Sequence, residues 1–247
     1  MSNDPFRSPQ DRAQFATTRW SIVVKAGRDS SADAQEALES LCQTYWYPLY
    51  AYVRRKGKTA DDAADLTQAF FTQLLEKNSL QSADQEVGRF RTFLLTLFQR
   101  FMANEYHRER AQKRGGDRRK LSLDFESAED RYRFEPVENW TPEKIYQRRW
   151  ALTLLQQVME LLADEHRKQD KEELFQHCQA FMTGSAEGQT YADPAQALGM
   201  TESAVRVAVY RMRQRYQELL KQQVAQTMEE GLDVDEELAE LRQALRQ

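Results

Sequence analysis

Residues 191–221 read YADPAQALGMTESAVRVAVYRMRQRYQELLK, and this stretch predicts two helices joined by a tight turn. Asp193 is a candidate N-cap, and Pro194 suits the first helical position, where its missing N–H costs nothing. Gly199 predicts the end of the first helix, because a backbone turn with positive φ is cheap only for glycine. Thr201 then predicts the cap of a second, longer helix.

The second of these predicted helices has two different faces. Its apolar residues recur at steps of three and four, and they are Val205, Val209, Met212, Tyr216 and Leu219. The side chains between them are long and mostly cationic: Arg206, Tyr210, Arg211, Arg213, Gln214 and Arg215. This pattern is typical of a helix-turn-helix that binds DNA. An ordinary helical hairpin with a solvated basic face is the alternative.

The composition predicts a globular, helical protein. The chain has 247 residues, of which 40% are hydrophobic and 11% aromatic, with only nine Gly and six Pro. That length allows one large or two small domains. The sequence contains no apolar run of membrane-spanning length and no secretory signal, so we expect a cytoplasmic protein without membrane insertion.

The sequence contains no spacing of residues that is typical of an enzyme active site or of a metal site. Cys42 and Cys178 lie far apart without a C-x-x-C spacing, so the sequence predicts neither a disulfide nor a thiolate metal site. There is no phosphate-binding glycine loop and no nucleophile elbow. We therefore expect no catalytic residues, no metal and no cofactor.

Charge is segregated along the chain, although the net charge is only −4. Residues 89–120 hold ten Arg or Lys against three Asp or Glu, and residues 206–221 hold five against one. Residues 229–247 hold seven acids against two Arg. Salt screens charges that are more than about 10 Å apart, so local blocks matter more than the sum. Two basic blocks predict two separate contacts with a polyanion.

An acidic helix is predicted at residues 61–75, DDAADLTQAFFTQLL, after the start signal of Thr59. Its inner face consists of Ala63, Leu66, Phe70 and Leu74. Phe71 and Leu75 fall beside that face. Two interpretations are open: an apolar surface for a partner, or a wide buried face.

A second helix is predicted at residues 90–110, FRTFLLTLFQRFMANEYHRER. Its first half is apolar at steps of three and four, and its second half is basic and contains an aromatic residue. Cations neutralise phosphates, and exposed rings stack on unpaired bases. This segment therefore indicates nucleic-acid binding, although a basic helix end also complements the helix dipole.

The predicted fold is all-α, with two small helical domains joined by a linker, the C-terminal domain containing the helix-turn-helix. After Gly115 and Gly116 the periodic pattern is lost, which indicates the linker. The predicted divisions are a flexible N-terminus (1–16), a helical domain (17–114), the linker (115–142), a helix-turn-helix domain (143–225) and an acidic C-terminal extension (226–247). The extension predicts an amphipathic helix that either folds back on the protein or binds a partner.

With these segments in order, the chain resembles the bacterial RNA polymerase sigma factors, specifically the extracytoplasmic-function (ECF) type of the sigma-70 family. Residues 61–75 are similar to the family's helix that binds the clamp helices of the polymerase. Residues 90–110 are similar to the helix that opens and reads the minus-ten promoter element, with Arg100-Phe101 where an Arg-Asn pair is usual. The closing helix-turn-helix is similar to the module that reads the minus-thirty-five element.

The resemblance implies a transcription initiation factor that binds core RNA polymerase, directs it to specific promoters and opens promoter DNA. It also admits an anti-sigma factor as a partner. The implied polymerase contacts are Asp61, Asp62, Asp65, Leu66, Gln68 and Phe71. The implied minus-ten contacts are Arg91, Arg100, Tyr106, Arg108 and Arg110. The implied helix-turn-helix contacts are Thr201, Glu202, Ser203, Arg206, Tyr210, Arg211 and Arg213. The alternative is a helix-turn-helix regulator that binds duplex DNA without polymerase.

Overall fold

The computed structural model describes residues 32–76, 89–109, 125–133, 140–183, 190–229 and 231–246. Within these ranges it consists of helices without a β-strand, which confirms the all-α prediction. The helices are α1 (Ala32–Arg55), α2 (Ala60–Glu76), α3 (Phe90–Glu109), α4 (Phe125–Arg133), α5 (Pro142–Lys168), α6 (Glu172–Thr183), α7 (Ala192–Ala197), α8 (Glu202–Gln226) and α9 (Val234–Arg246). No helix among the described residues is both long and apolar enough to cross a bilayer.

The chain divides into two compact units. The first comprises the residues up to Leu152 together with Val224–Gln247, and the second is Thr153–Gln223. The divisions therefore fall inside α5 and α8, and not at the boundaries of 143 and 225 expected from the sequence. The first turns of α5 belong to the first unit because their apolar residues Ile145, Tyr146 and Trp150 are buried there. The acidic extension also belongs to the first unit.

The core of the first unit is aromatic and joins α1, α2 and α3. Tyr45 and Phe90 meet edge to face with ring centroids 5.0 Å apart. Phe70 of α2 lies 4.8 Å from Phe98 and 5.5 Å from Phe101 of α3. Such aromatic pairs add stability beyond the area that they bury. This packing fixes which faces of α2 and α3 remain exposed.

Helix α4 lies inside the segment that the sequence predicts to be a linker, and its residues belong to the first unit. Ala128 is fully buried, and Glu129 accepts hydrogen bonds from Tyr50 Oη at 2.6 Å and Arg54 Nη2 at 2.8 Å. Desolvation acts to raise the pKa of Glu129, but the hydrogen bonds from Arg54 and Tyr50 lower it overall. A nine-residue helix has little stability of its own, so contacts with α1 stabilise it.

The second unit contains the turn predicted between α7 and α8. Gly199 has a φ of +62°, and Met200 N donates to Ala195 O at 2.9 Å, closing the C-terminus of α7. Thr201 Oγ1 accepts a hydrogen bond from Ala204 N at 3.2 Å, which confirms the predicted cap of α8. The core contains the predicted apolar stripe of α8, with Tyr216 partly buried at its edge.

The predicted start of α7 is wrong by two residues. Its N-cap is Tyr191, which makes no side-chain capping bond, and Asp193 lies within the first turn of the helix. The ring of Tyr191 instead stacks on Phe181 at a centroid distance of 4.6 Å. The capping preference of Asp193 therefore does not decide where this helix begins.

Candidate polymerase and nucleic-acid interfaces

The start of α2 presents three carboxylates to solvent. Thr59 Oγ1 accepts a hydrogen bond from Asp62 N at 3.1 Å, so the first turn is capped as the sequence predicts. Asp61, Asp62 and Asp65 are all exposed. Asp61 and Asp65 are four residues apart and therefore lie on the same side of the helix. This acidic surface repels nucleic acid and suits a basic protein partner.

The apolar residues predicted to extend this surface differ in exposure. Leu66 and Gln68 are half-buried, so each can contribute part of its side chain to the surface. Phe71 is fully buried, and its ring lies 5.4 Å from that of Phe70. The prediction that Phe71 contacts a partner is therefore wrong. The alternative of a wide buried face on α2 is correct.

Helix α3 has a buried face and an exposed face along its length. The buried face contains Phe90, Leu94, Phe98 and Phe101. The exposed residues recur at steps of three and four, and they are Thr92, Thr96, Gln99, Arg100, Ala103, Asn104 and Tyr106. Tyr106 is 53% exposed. This stripe offers a cation, small polar groups and an aromatic ring on one surface, which is a suitable set for an unpaired nucleic-acid strand.

Sequence reasoning identified only Arg100 and Tyr106 on this stripe. Thr96 and Asn104 lie one turn before and one turn after Arg100, so helical spacing counted from that residue could have found them. The side chain of Arg108 and the whole of Arg110 lie outside the described residues.

Arg91 lies on the buried side of α3, and the prediction that it contacts phosphate is wrong. Its Nε and Nη2 donate to the two carboxylate oxygens of Glu237 at 2.6 and 3.0 Å. Its Nη1 donates to Gln147 Oε1 at 2.6 Å, and its guanidinium lies 4.8 Å from the Trp150 ring centroid. Burial acts to lower the pKa of Arg91, but the hydrogen bonds to Glu237 and Glu240 raise it overall. The guanidinium is thus fully engaged inside the first unit.

The N-terminal half of α8 exposes the residues predicted to contact DNA. Those exposed are Thr201, Glu202, Ser203, Arg206, Tyr210, Arg211 and Arg213. The side chain of Arg206 is 64% exposed; its Nη2 lies 3.8 Å from Glu202 and its guanidinium 5.3 Å from the Tyr191 ring centroid. Sequence reasoning missed Val207, which is exposed between Ser203 and Arg211 at steps of four. An apolar side chain at such a position can contact a thymine methyl group.

Two arginines further along α8 have protein partners. Arg213 donates to the carbonyl oxygen of Phe181. Arg215 donates to Glu165 at 2.6 and 2.9 Å and to Glu218 at 3.0 Å. The hydrogen bonds to Glu165 and Glu218 raise the pKa of Arg215. The basic face of α8 is therefore less available to a polyanion than its charge count suggests.

Comparison with known proteins identifies the family of the chain. A sequence model of the ECF sigma factors matches residues 29–222, which is most of the chain, and the match ends before α9. No curated protein and no solved structure gives a significant match. ECF sigma factors are non-enzymatic transcription initiation factors that direct RNA polymerase, so polymerase and promoter DNA are the partners that the family implies. The chain belongs to the ECF sigma factor family.

Proposed function

We propose that the chain binds core RNA polymerase through the acidic start of α2, and recognises and opens specific promoters through α3 and α8. One observation carries this proposal: the first unit exposes an acidic surface on α2 and a surface suited to nucleic acid on α3. A regulator that only binds duplex DNA has no need of the acidic surface. The role requires no catalytic residue and places the protein in the cytoplasm with polymerase.

On the polymerase side, Asp61, Asp62 and Asp65 form charge-assisted contacts with basic residues of the polymerase. Leu66 and Gln68 contribute the uncharged edge of the same surface. Because exposed ion pairs are individually weak, binding depends on several of these contacts together. The charge pairing also orients the chain on the polymerase, because a misplaced complex would bring like charges together.

On the minus-ten side, Arg100 contacts phosphate and Tyr106 stacks on an unpaired base of the opened strand. Stacking on an aromatic side chain contributes about 1–3 kcal/mol for each base, which offsets part of the energy needed to unpair the duplex. We also expect Arg108 and Arg110, further along the sequence, to contact phosphate. Asn104, one turn from Arg100, supplies an amide for a base edge or the backbone.

On the upstream side, the N-terminus of α8 enters the major groove. Thr201, Glu202, Ser203 and Arg206 lie at or near this end, where a recognition helix contacts base edges. Tyr210 and Arg211 lie further along and contact the DNA backbone, whereas Arg213, which the sequence also suggested as a DNA contact, donates to the carbonyl oxygen of Phe181. Base contacts give specificity, and backbone contacts give position.

The experiment that tests the polymerase contact is a binding assay with purified core enzyme. Asp65→Arg reverses a charge in the acidic surface, and Asp130→Arg makes the same change at an exposed position of α4. We expect the first variant to lose at least tenfold in affinity and the second to bind like the unchanged protein. Circular dichroism checks that both remain helical. Equal binding by Asp65→Arg and the unchanged protein would show that α2 does not contact the polymerase.

A further inference from the structure

Helix α9 is docked in the first unit. Leu238, Leu241 and Ala244 are buried along one side of the helix. The exposed residues on the rest of its surface include Asp235, Glu236 and Arg242. Of the two alternatives that the sequence left open for the acidic extension, folding back on the protein is therefore the one observed. This helix lies beyond the range matched by the family, so the family implies no role for it.

The docked helix binds the two arginines that flank the start of α3. Glu237 is fully buried; besides its two bonds with Arg91, it accepts from Arg89 Nε at 2.9 Å. Arg89 also pairs with Glu236 at 3.0 Å, and both arginines contact Glu240. Desolvation acts to raise the pKa of Glu240, but the hydrogen bonds from Arg89 and Arg91 lower it overall. Two cations and three carboxylates thus form one network, with Glu237 at its buried centre.

The same end of α3 is held by its backbone. Phe90 N donates to Thr227 O at 2.9 Å, and Arg89 forms an isolated bridge with Met228. Tyr146 Oη donates to Arg91 O at 2.9 Å. The described contacts that fix the start of α3 therefore include several from segments far along the chain, from the start of α5 and from residues 227–240.

We propose that α9 is a working part of the promoter-opening unit and that Glu237 is a positioning residue, which acts by fixing Arg91. This inference rests on the proposed function of α3. Arg91 and Tyr106 are on one continuous helix and are separated by roughly 22 Å along its axis. Fixing the rotation of α3 at Arg91 therefore fixes the direction of the exposed stripe that carries Arg100 and Tyr106. Arg91 serves as an anchor and makes no contact with DNA.

The burial of the network argues against a helix that competes with DNA for these arginines. Release of α9 would expose Leu238 and Leu241 to water and leave Arg91 without its two carboxylate partners, Glu237 and Glu240. Removing one partner of a buried ion pair is strongly destabilising, because the other charge stays in a poorly solvated site. The helix is accordingly a fixed component of the unit.

The test uses four full-length variants with core polymerase and a promoter that the unchanged protein opens. Glu237→Met and Arg91→Met each remove one member of the buried pair, and the double variant replaces the pair with apolar side chains of similar size. Arg242→Met is the matched control, since it makes the same kind of change at an exposed charged position of the same helix. Permanganate reactivity of unpaired thymines measures opening, and a separate assay measures binding to polymerase.

We expect each single variant of the buried pair to lose at least tenfold in opening while polymerase binding stays within about twofold. The double variant should recover at least half of the activity, because a well-packed apolar pair replaces a buried ion pair without large cost. It should also keep the salt dependence of promoter binding, whereas loss of a phosphate contact lowers the salt slope by about one. The Arg242→Met control should open promoters normally.

Three results would overturn the inference. Normal opening by Glu237→Met would show that the network does not position α3, and increased opening would show that α9 is inhibitory. A double variant that stays inactive with a reduced salt slope would assign Arg91 to DNA. If the unchanged protein fails to bind polymerase, the proposed function fails instead. Hydrogen exchange of the α3 amides then still tests the anchor: exchange must rise in Glu237→Met and fall again in the double variant.

Discussion

Replacement of Arg206 by alanine tests whether α8 reads bases. Within the protein this side chain has an exposed ion pair with Glu202 and a cation–π contact with Tyr191. The first contributes about 0.3–0.5 kcal/mol and the second about 0.5–1 kcal/mol, so the variant should lose little more than 1 kcal/mol of folding stability. A base contact contributes about 1–3 kcal/mol of discrimination, which corresponds to a roughly 5- to 150-fold change in preference.

The assay compares the binding of polymerase with either protein to a promoter carrying single-base changes in the upstream element. We expect Arg206→Ala to lose discrimination at one or two adjacent positions and to keep it elsewhere. Arg215→Ala is the control, because Arg215 is paired with Glu165 and Glu218 and should affect stability without changing base preference. Full discrimination at every upstream position by Arg206→Ala would refute the assignment of α8 as the recognition helix.

Three further predictions concern the fold around these surfaces. Leu241 is 2% exposed, so Leu241→Ala should lower the free energy of unfolding in urea by about 2–5 kcal/mol. Leu232 is 42% exposed, so Leu232→Ala should lower it by less than about 0.5 kcal/mol. Equal effects of the two substitutions would contradict the docking of α9. Gly199→Ala should lower the free energy of unfolding by about 1 kcal/mol. The loss comes from the positive φ alone, since no atom lies within 4 Å of the added Cβ. Unchanged stability would contradict this prediction. Desolvation raises the pKa of Tyr216 to about 12, so its contribution to stability is present below pH 10 and is lost as pH rises from 10 through about 12. The unchanged protein should therefore lose stability relative to Tyr216→Phe over that range in urea titrations, and parallel pH profiles would contradict the shift.

Features set by short-range interactions could be predicted from the sequence. Thr59 and Thr201 cap their helices through residues three positions away, and Gly199 turns the chain through its own φ. The apolar stripe of α8 follows from helical spacing alone. Each of these signals involves neighbours within about one turn, so no knowledge of the tertiary structure was needed.

Features set by distant partners could not be predicted in this way. The partner of Arg91 is Glu237, 146 residues later, so the sequence showed the charge of Arg91 without showing that it is buried. Helix α4 depends on the contact of Glu129 with Arg54, 75 residues away, and lacks a strong pattern of its own. Phe71 lies at the edge of a helical face, where only the packed neighbours decide between core and surface.

The charged residues of the candidate site show the same limit of prediction from sequence. From the sequence alone, the arginines of α8 all belong to one basic face of the helix. Arg206 is largely exposed, while Arg213 is bonded to the end of α6 and Arg215 to a carboxylate of α5. A count of cations therefore predicts that a surface is basic, but the contacts decide which of those cations can reach a partner.

In the proposed function, this chain gives core polymerase its choice of promoter. The most direct measurement is to map transcript 5′ ends made by purified core polymerase from genomic DNA, with and without the protein. We expect a set of start sites that appear only with the protein, share upstream and minus-ten sequences, and disappear with Asp65→Arg. Identical start sites in both reactions would show that the protein does not direct the polymerase to promoters.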